Sequence, residues 1–454
     1  MLKQQVHELE KNNIWVETRT WLVVVLVVSV LGRVIAALVL GNEVSFMPGI
    51  ADQVSYHNLA LRVLGGHGFT FGEAWWPATP AGEPTAHWSY LYTIYLVVVY
   101  ALTGSNPIVA RLIQTVAVGV LMPLLVYRLA KLVFSPKSAA AKLSPLFADG
   151  ERIGLMAAGI TAVYFYFIYY SAALMTEGFY MTGILWAFCL AVEMSQAKEE
   201  ITWRNWLLLG FALGLTVLLR QLFLLFVPFL LLWLWFAVRP RLWQPALPLI
   251  VIGLMILPWT IRNYRAFDYF VLLNTNSGFA FYWGNHPIYG TKFIPILPTE
   301  TYYELLPQEL LHLSEAELDS ALMDIAIQNV FADPWRYIQL SLSRIPFYFQ
   351  FWPSADSGLI SNVSRIASFG LFLPFMLFGL WQTTKVRFPS FFDFLASPFT
   401  LLLLFGLFYT GVHVLIWTLV RYRLPVDALL IIFAGVAMVQ VWEYGRNRFQ
   451  HSAK

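Results

Sequence analysis

Ten long apolar runs limit this chain to a bundle of membrane-spanning helices. They cover residues 21–40, 108–134, 153–170, 179–194, 206–220, 222–238, 247–262, 366–382, 398–419 and 425–441. The hydrocarbon core of a bilayer needs about 20 such residues per helix. Composition agrees: 59% of the 454 residues are hydrophobic and 12% charged, where a soluble domain carries about 25% charged residues. Residues 1–18 are polar and no small-residue cleavage site follows the first run, so it is expected to be an uncleaved span. The single cysteine, Cys189, lies inside an apolar run and reads as a small core residue. The net charge of +3 says little about partners, because in a membrane protein the placement of charge matters more than its sum.

Segment 88–102 is also apolar, but short and broken by tyrosines. It is expected to lie flat at the interface. With ten crossings and a cytoplasmic N-terminus, the basic residues gather on the cytoplasmic side. They include Arg128, Lys131, Lys137, Lys142 and Arg152 in one turn, then Lys198, Arg239, Arg241, Lys385 and Arg387. The outer segment 41–107 holds one basic residue, Arg62. That asymmetry is the positive-inside pattern, and it would invert if 88–102 crossed. Residues 1–443 are thus expected to form one transmembrane domain with outer loops 41–107 and 263–364. Residues 444–454 would be a short cytoplasmic tail, and both termini would be cytoplasmic. In the second outer loop, Ser314 followed by Glu317 predicts a capped helix, and 335–352 reads as interfacial.

Polar chemistry then falls on the outer side. Asp52 opens a short helical pattern that ends at Gly65-Gly66, with Tyr56 one turn along. It reads either as that helix's cap or as a working acid. Glu83 lies in the Pro-rich loop "PATPAGEPTAHW". Glu177 lies in "YSAALMTEGFYM", where one span turns into the next; an ionisable group at membrane depth is a functional candidate by default. The alternatives are a solvated loop acid and a helix-end acid. Arg220, Arg262, Arg421 and Arg423 sit at span ends on the same side. They read as interface anchors or as a phosphate grip. No P-loop, Rossmann fingerprint, HExxH or Cys/His metal spacing is present, so a soluble sugar nucleotide and nucleic acid are poor candidate ligands.

The order of these motifs resembles the GT-C glycosyltransferases, in particular the family 39-like group with the protein O-mannosyltransferases and the lipid A aminoarabinose transferase. The resemblance rests on Asp52 with Tyr56, Gly-Gly-x-Gly-Phe at 65–69, "NPIVARLIQ", "YSAALMTEGF", "LPWTIRNYRAF", "TNSGFAFYWGNHP" and "RYRLP". It implies an all-α, GT-C-type bundle with interfacial helices in the outer loops. It also implies a polyprenyl-phosphate-linked monosaccharide donor, and a lipid, glycan or protein acceptor. Asp52 would be the catalytic base, Glu177 a second functional acid, and Glu83 a looser match. The arginines would hold the donor phosphate. Tyr56, His57, His87, Tyr282 and Asn285 would touch substrate. A divalent metal, Mg or Mn, would sit near Asp52 and Glu177. The chain departs from the family at Thr85–Tyr92, where many relatives have His-Pro-Pro-Leu-Tyr-Pro. With 13 residues after Val441, the large soluble domains of oligosaccharyltransferases are expected to be missing. The expected setting is a bacterial inner membrane, in contact with its lipids and with the active site outside. A polysaccharide polymerase or ligase using a lipid-linked oligosaccharide, and a multispan transporter, are the alternatives.

Overall fold

The structure, a computed structural model, describes residues 2–135, 149–197, 200–355 and 357–452, and side chains within 18–445 of these. Lys137, Lys142 and Lys198 of the expected basic turns lie outside the described residues. Among the described residues there is no sheet, only the isolated bridges Thr70–Pro84 and Trp75–Thr79 in the segment 41–107.

The chain opens with α1 (Leu2–Leu40), whose apolar part is Thr18–Leu40. Ser29, Arg33 and Ala37 are buried at a spacing of four, while Val23, Val27, Leu31 and Ile35 face outward. This inverts a soluble amphipathic helix, as a lipid-facing surface requires. Then come α2 (Asp52–Leu64), α3 (Tyr90–Thr103) and α4 (Pro107–Val133). At 14 residues α3 is about 21 Å long, short of the roughly 30 Å hydrocarbon core. The run expected at 153–170 is two helices, α5 (Gly150–Val163) and α6 (Phe165–Ala172), bent by 56° at Tyr164. Next are α7 (Glu177–Ala197), α8 (Trp203–Leu219), a 3₁₀ turn (Gln221–Leu225), α9 (Val227–Val238) and α10 (Ala246–Phe267).

The segment 263–364 folds as α11 (Ser277–Asn285), α12 (Thr299–Glu304), α13 (Glu315–Ala332) and α14 (Pro334–Tyr348), with α15 (Leu359–Arg365) opening at its end. Ser314 and Glu317 form the expected capping box at α13. Then α15 runs through a π turn (Ile366–Gly370) into α16 (Leu371–Thr384). The chain closes with α17 (Phe391–Leu395), α18 (Pro398–Leu415), a 3₁₀ turn (Val420–Arg423) and α19 (Leu424–Ser452).

Among the described residues, eight helices are long and apolar enough to cross a membrane, or nine if the bent pair α5–α6 is one span. The tenth expected span, α8, is apolar but only 17 residues long. The protein is therefore an integral membrane protein. Burial orders the bundle: 78% of the apolar window of α19 and 72% of that of α7 is buried, against 17% for α1. Thus α7 and α19 form the centre and α1 the rim.

The break between α5 and α6 leaves helix-end carbonyls inside the bundle, where they need donors. Arg33 supplies them. Its guanidinium donates to the carbonyls of Thr161 (3.1 Å) and Ala162 (3.3 Å), and to Ser29 Oγ (2.6 Å). Gln114 caps the end of α6 through the carbonyls of Ser171 and Ala173, both at 2.8 Å. Arg111 adds the carbonyl of Ala172 at 2.8 Å and Gln53 Oε1 at 3.0 Å. These polar side chains hold a broken helix in place, so the one cation inside the first span has a structural task.

Helices α16 and α19 meet at Gly379, where a Cβ would run into the carbonyl of Phe433. Small residues allow such backbone contact between membrane helices. Gly379→Ala is expected to lower stability by about 1–3 kcal/mol through overpacking, measured as a lower midpoint of thermal unfolding in detergent.

Candidate functional site

Four interruptions of regular helix meet at one end of the bundle. The chain enters α2 at Asp52, crosses the bent link 173–176 into α7, breaks at Arg220 between α8 and its 3₁₀ turn, and turns at Val420–Arg423 before α19. Irregular backbone at membrane depth is tolerated where it is buried in protein or lines a cavity, and here it does both. Arg111 near the start of α4 contacts Glu43 and Gln53 at this end. Lys131 near the end of α4 pairs with Glu151, so the basic turn lies at the opposite end.

A cavity of about 640 Å³ opens among these breaks, within the size range of ligand sites. Asp52, Tyr56, His87, Arg220 and Arg421 line it. Asp52 is the first residue of α2, yet it caps nothing: its carboxylate meets the Arg421 guanidinium at 2.8 Å. Glu177 lies just behind the wall, 3% exposed, and takes Arg220 Nη2 at 2.5 Å. Arg220 Nε also donates to Thr176 Oγ1 at 3.0 Å. Arg421 Nε lies 3.9 Å from Glu177, so the two ion pairs join into one neutral quartet. Tyr180 and Tyr422 flank the Arg220 guanidinium, each ring centre within 5.7 Å. This cage fixes two guanidinium planes at the mouth of a cavity, the geometry suited to phosphate.

The walls beyond the quartet divide by chemistry. Leu222, Leu224, Leu225, Leu272, Val412 and Ile416 form an apolar wall, and exposure of Leu225 and Leu272 carries it to the protein surface. Trp76, Trp88, Phe279 and Trp283 form an aromatic wall; Trp76 stacks on Trp283 with ring centres 4.6 Å apart. Burial, and then the Asp52 carboxylate, push the Tyr56 phenol above its ordinary range. Asp319 on α13 accepts from the Phe279 N–H at 3.0 Å and anchors α11. Burial raises its carboxyl to about 7, so it favours docking of α11 while protonated.

The other sequence candidates stand away from the cavity. Arg262 donates to the carbonyls of Thr85 (2.9 Å) and Phe69 (3.1 Å), and its guanidinium packs on Trp259. It ties the segment 41–107 to α10. Arg423 is fully buried and pairs with Asp427 at 2.8 Å. Glu83 is exposed in its loop. The His57 ring meets Tyr100 Oη at 2.8 Å. Tyr282 Oη donates to the Leu305 carbonyl at 2.6 Å, and Asn285 Oδ1 accepts from Arg344 at 2.9 Å.

The proposed metal pair fits poorly. Asp52 and Glu177 each already hold a guanidinium, and no group of three His, Cys, Asp or Glu side chains able to share an ion occurs among the described residues. Sequence reasoning missed Thr176, Gln221, Tyr422 and Trp417, all lining residues. Thr176, Gln221 and Tyr422 adjoin candidates it did select; Trp417 carried no signal.

No protein-family model matches the chain, and no curated protein matches its sequence. Solved structures do match its fold. The oligosaccharyltransferase of Archaeoglobus fulgidus in its apo form aligns at TM-score 0.58 and 15% identity, over 96% of this chain and 52% of that one. AglB from the same organism, in complex with an inhibitory peptide and a dolichol-phosphate, aligns at 0.54 and 14% identity, with the same coverage. ArnT from Cupriavidus metallidurans aligns at 0.49 and 16% identity, over 94% of this chain and 62% of that one. The chain spans about half the length of the archaeal structures. A further structure of that oligosaccharyltransferase, in complex with zinc and sulfate, aligns at 0.51 and 15% identity. The likeness is one of fold, and it establishes the all-α, GT-C-type bundle.

Proposed function

We propose that this protein is a membrane glycosyltransferase that moves a sugar from a polyprenyl-phosphate donor to an acceptor hydroxyl. One observation carries the reading: a carboxylate and two caged guanidiniums face a single cavity whose apolar wall runs to the protein surface. The dolichol-phosphate bound to the archaeal relative of like fold supports a lipid-phosphate ligand. The reaction takes place on the outer face, where a bilayer-borne donor meets a water-borne or lipid-borne acceptor. The setting that best suits the charge pattern is a bacterial inner membrane with both termini cytoplasmic.

The chemistry follows from the quartet. The acceptor oxygen attacks the anomeric carbon as Asp52 takes its proton, within hydrogen-bond reach. The bond from that carbon to the phosphate oxygen breaks, and its electron pair leaves with the polyprenyl phosphate. Arg220 and Arg421 receive the growing negative charge. A single displacement of this kind inverts the sugar carbon. Asp52 is held by Arg421 before donor arrives. A phosphate that draws Arg421 to itself releases the carboxylate, so donor binding prepares the base and the order is donor first. No step requires a metal at Asp52 or Glu177.

The test is a panel of radiolabelled lipid donors offered to the purified full chain, with mass spectrometry of the lipids it retains. Release of a hexose or pentose from a polyprenyl monophosphate is the expected result. Retention and transfer of an oligosaccharide pyrophosphate would move the reading to a polymerase or ligase. Translocation without release would make the chain a transporter.

A further inference from the structure

We infer that Glu315 is a positioning residue that fixes the tautomer of His87, so that Nε2 of this histidine presents a hydrogen-bond acceptor to a substrate hydroxyl in the cavity. The substrate-facing half of this inference rests on the glycosyl-transfer reading above; the tautomer does not.

The argument begins with two short backbone stretches. Ala86-His87-Trp88 of the segment 41–107 lies against Asn274-Thr275-Asn276 of the segment 263–364. Thr275 N–H donates to the Ala86 carbonyl at 3.3 Å. Asn274 Nδ2 donates to the carbonyls of Ala86 (2.9 Å) and Trp88 (2.7 Å). Asn276 Nδ2 reaches the His87 carbonyl at 3.4 Å. The backbone on both sides of His87 is therefore pinned.

The ring is pinned as well. His87 Nδ1 lies 3.0 Å from the Thr275 carbonyl oxygen. A carbonyl oxygen only accepts, so Nδ1 carries the hydrogen. In a neutral imidazole the other nitrogen is then a lone-pair acceptor. His87 lines the cavity beside Trp88 and Phe279.

Glu315, at the start of α13 and 4% exposed, closes the arrangement from behind. Its Oε1 accepts from the Ala86 N–H at 2.8 Å and from the Thr275 hydroxyl; its Oε2 accepts from the Thr79 hydroxyl. It thus holds the residue before His87 and the residue whose carbonyl takes the ring. Three neutral donors to one buried carboxylate form a network whose loss is felt by every member. The titratable groups facing the ring are Glu315 from α13 and Asp52 from α2, and Arg262 of α10 acts on Glu315. Burial outweighs both acids and keeps the ring below its usual range, which favours the neutral acceptor form at neutral pH.

The test uses the full chain labelled with ¹⁵N-histidine in lipid nanodiscs, with His87→Gln identifying the signal. The expected spectrum of wild type shows His87 protonated on Nδ1, and Glu315→Gln loses that single tautomer. Protonation on Nε2 in wild type would overturn the inference, as would an unchanged tautomer in folded Glu315→Gln. Should Glu315→Gln fail to fold, Thr275→Val removes one donor and is expected to broaden the same signal; an unchanged signal there counts against the inference. In turnover, His87→Gln and Glu315→Gln are each expected to lower kcat roughly tenfold or more, the low end of what a well-placed polar group gives. The double variant should be no slower than His87→Gln alone, with the donor KM little changed. Multiplicative losses would mean that Glu315 acts independently of His87, which would overturn the inference. Absence of wild-type turnover would defeat the transferase reading, while the tautomer would still decide the role of Glu315.

Discussion

Asp52→Asn is expected to lower turnover by about 10²- to 10⁴-fold, the range for loss of a general base, while donor still binds. Asn keeps an oxygen that can accept from Arg421, so the loop before α2 stays in place. It removes the charge that competes with the donor phosphate for that guanidinium. Donor affinity should therefore hold or rise as the rate collapses. The check is bound radiolabelled donor against product formed, in the same detergent, for both proteins. Full activity in the variant would remove Asp52 from the chemistry. Weaker donor binding would make it a phosphate-site residue instead.

Arg220→Gln is expected to cause two separable losses. Glu177 is 3% exposed and its partner at 2.5 Å is Arg220; Arg421 stands off at 3.9 Å. Removing one member of a buried pair leaves an uncompensated charge and costs about 3–5 kcal/mol. Tyr180 and Tyr422 also lose the cation between them. The midpoint of unfolding should fall. Adding Glu177→Gln should restore most of it, because an amide pair carries no buried charge. Donor capture should not return, since the phosphate still lacks Arg220. Recovery of both stability and donor binding in the double variant would show that Arg220 serves only to neutralise Glu177.

The helical bundle was legible because period and length act locally. The apolar run of the first span, the Ser314–Glu317 box and the Gly65 stop of α2 are each read within a few residues. The break at Tyr164 was not legible. No proline or glycine marks it, and it depends on donors from Arg33 in another helix. The candidate site was half legible. Asp52, Glu177, Arg220 and Arg421 stood out because charge beside apolar runs is rare, and they proved to be one cluster. Arg262 and Arg423 stood out for the same reason, yet their donors are spent on loop carbonyls and on Asp427. Glu315 went unselected because it sits in the first turn of a capped soluble-looking helix, where acids are ordinary.

What the amino-acid sequence determined by itself is the set of elements and the kind of residue on offer: apolar spans, polar outer segments, and acids and arginines at their edges. Tertiary structure decided which charges meet. Ion pairing depends on distances of a few ångströms between residues hundreds of positions apart, such as Asp52 and Arg421. Such distances follow from where helices break and how they pack. Local sequence pattern does not encode them, because the partner that satisfies each buried charge comes from another part of the chain.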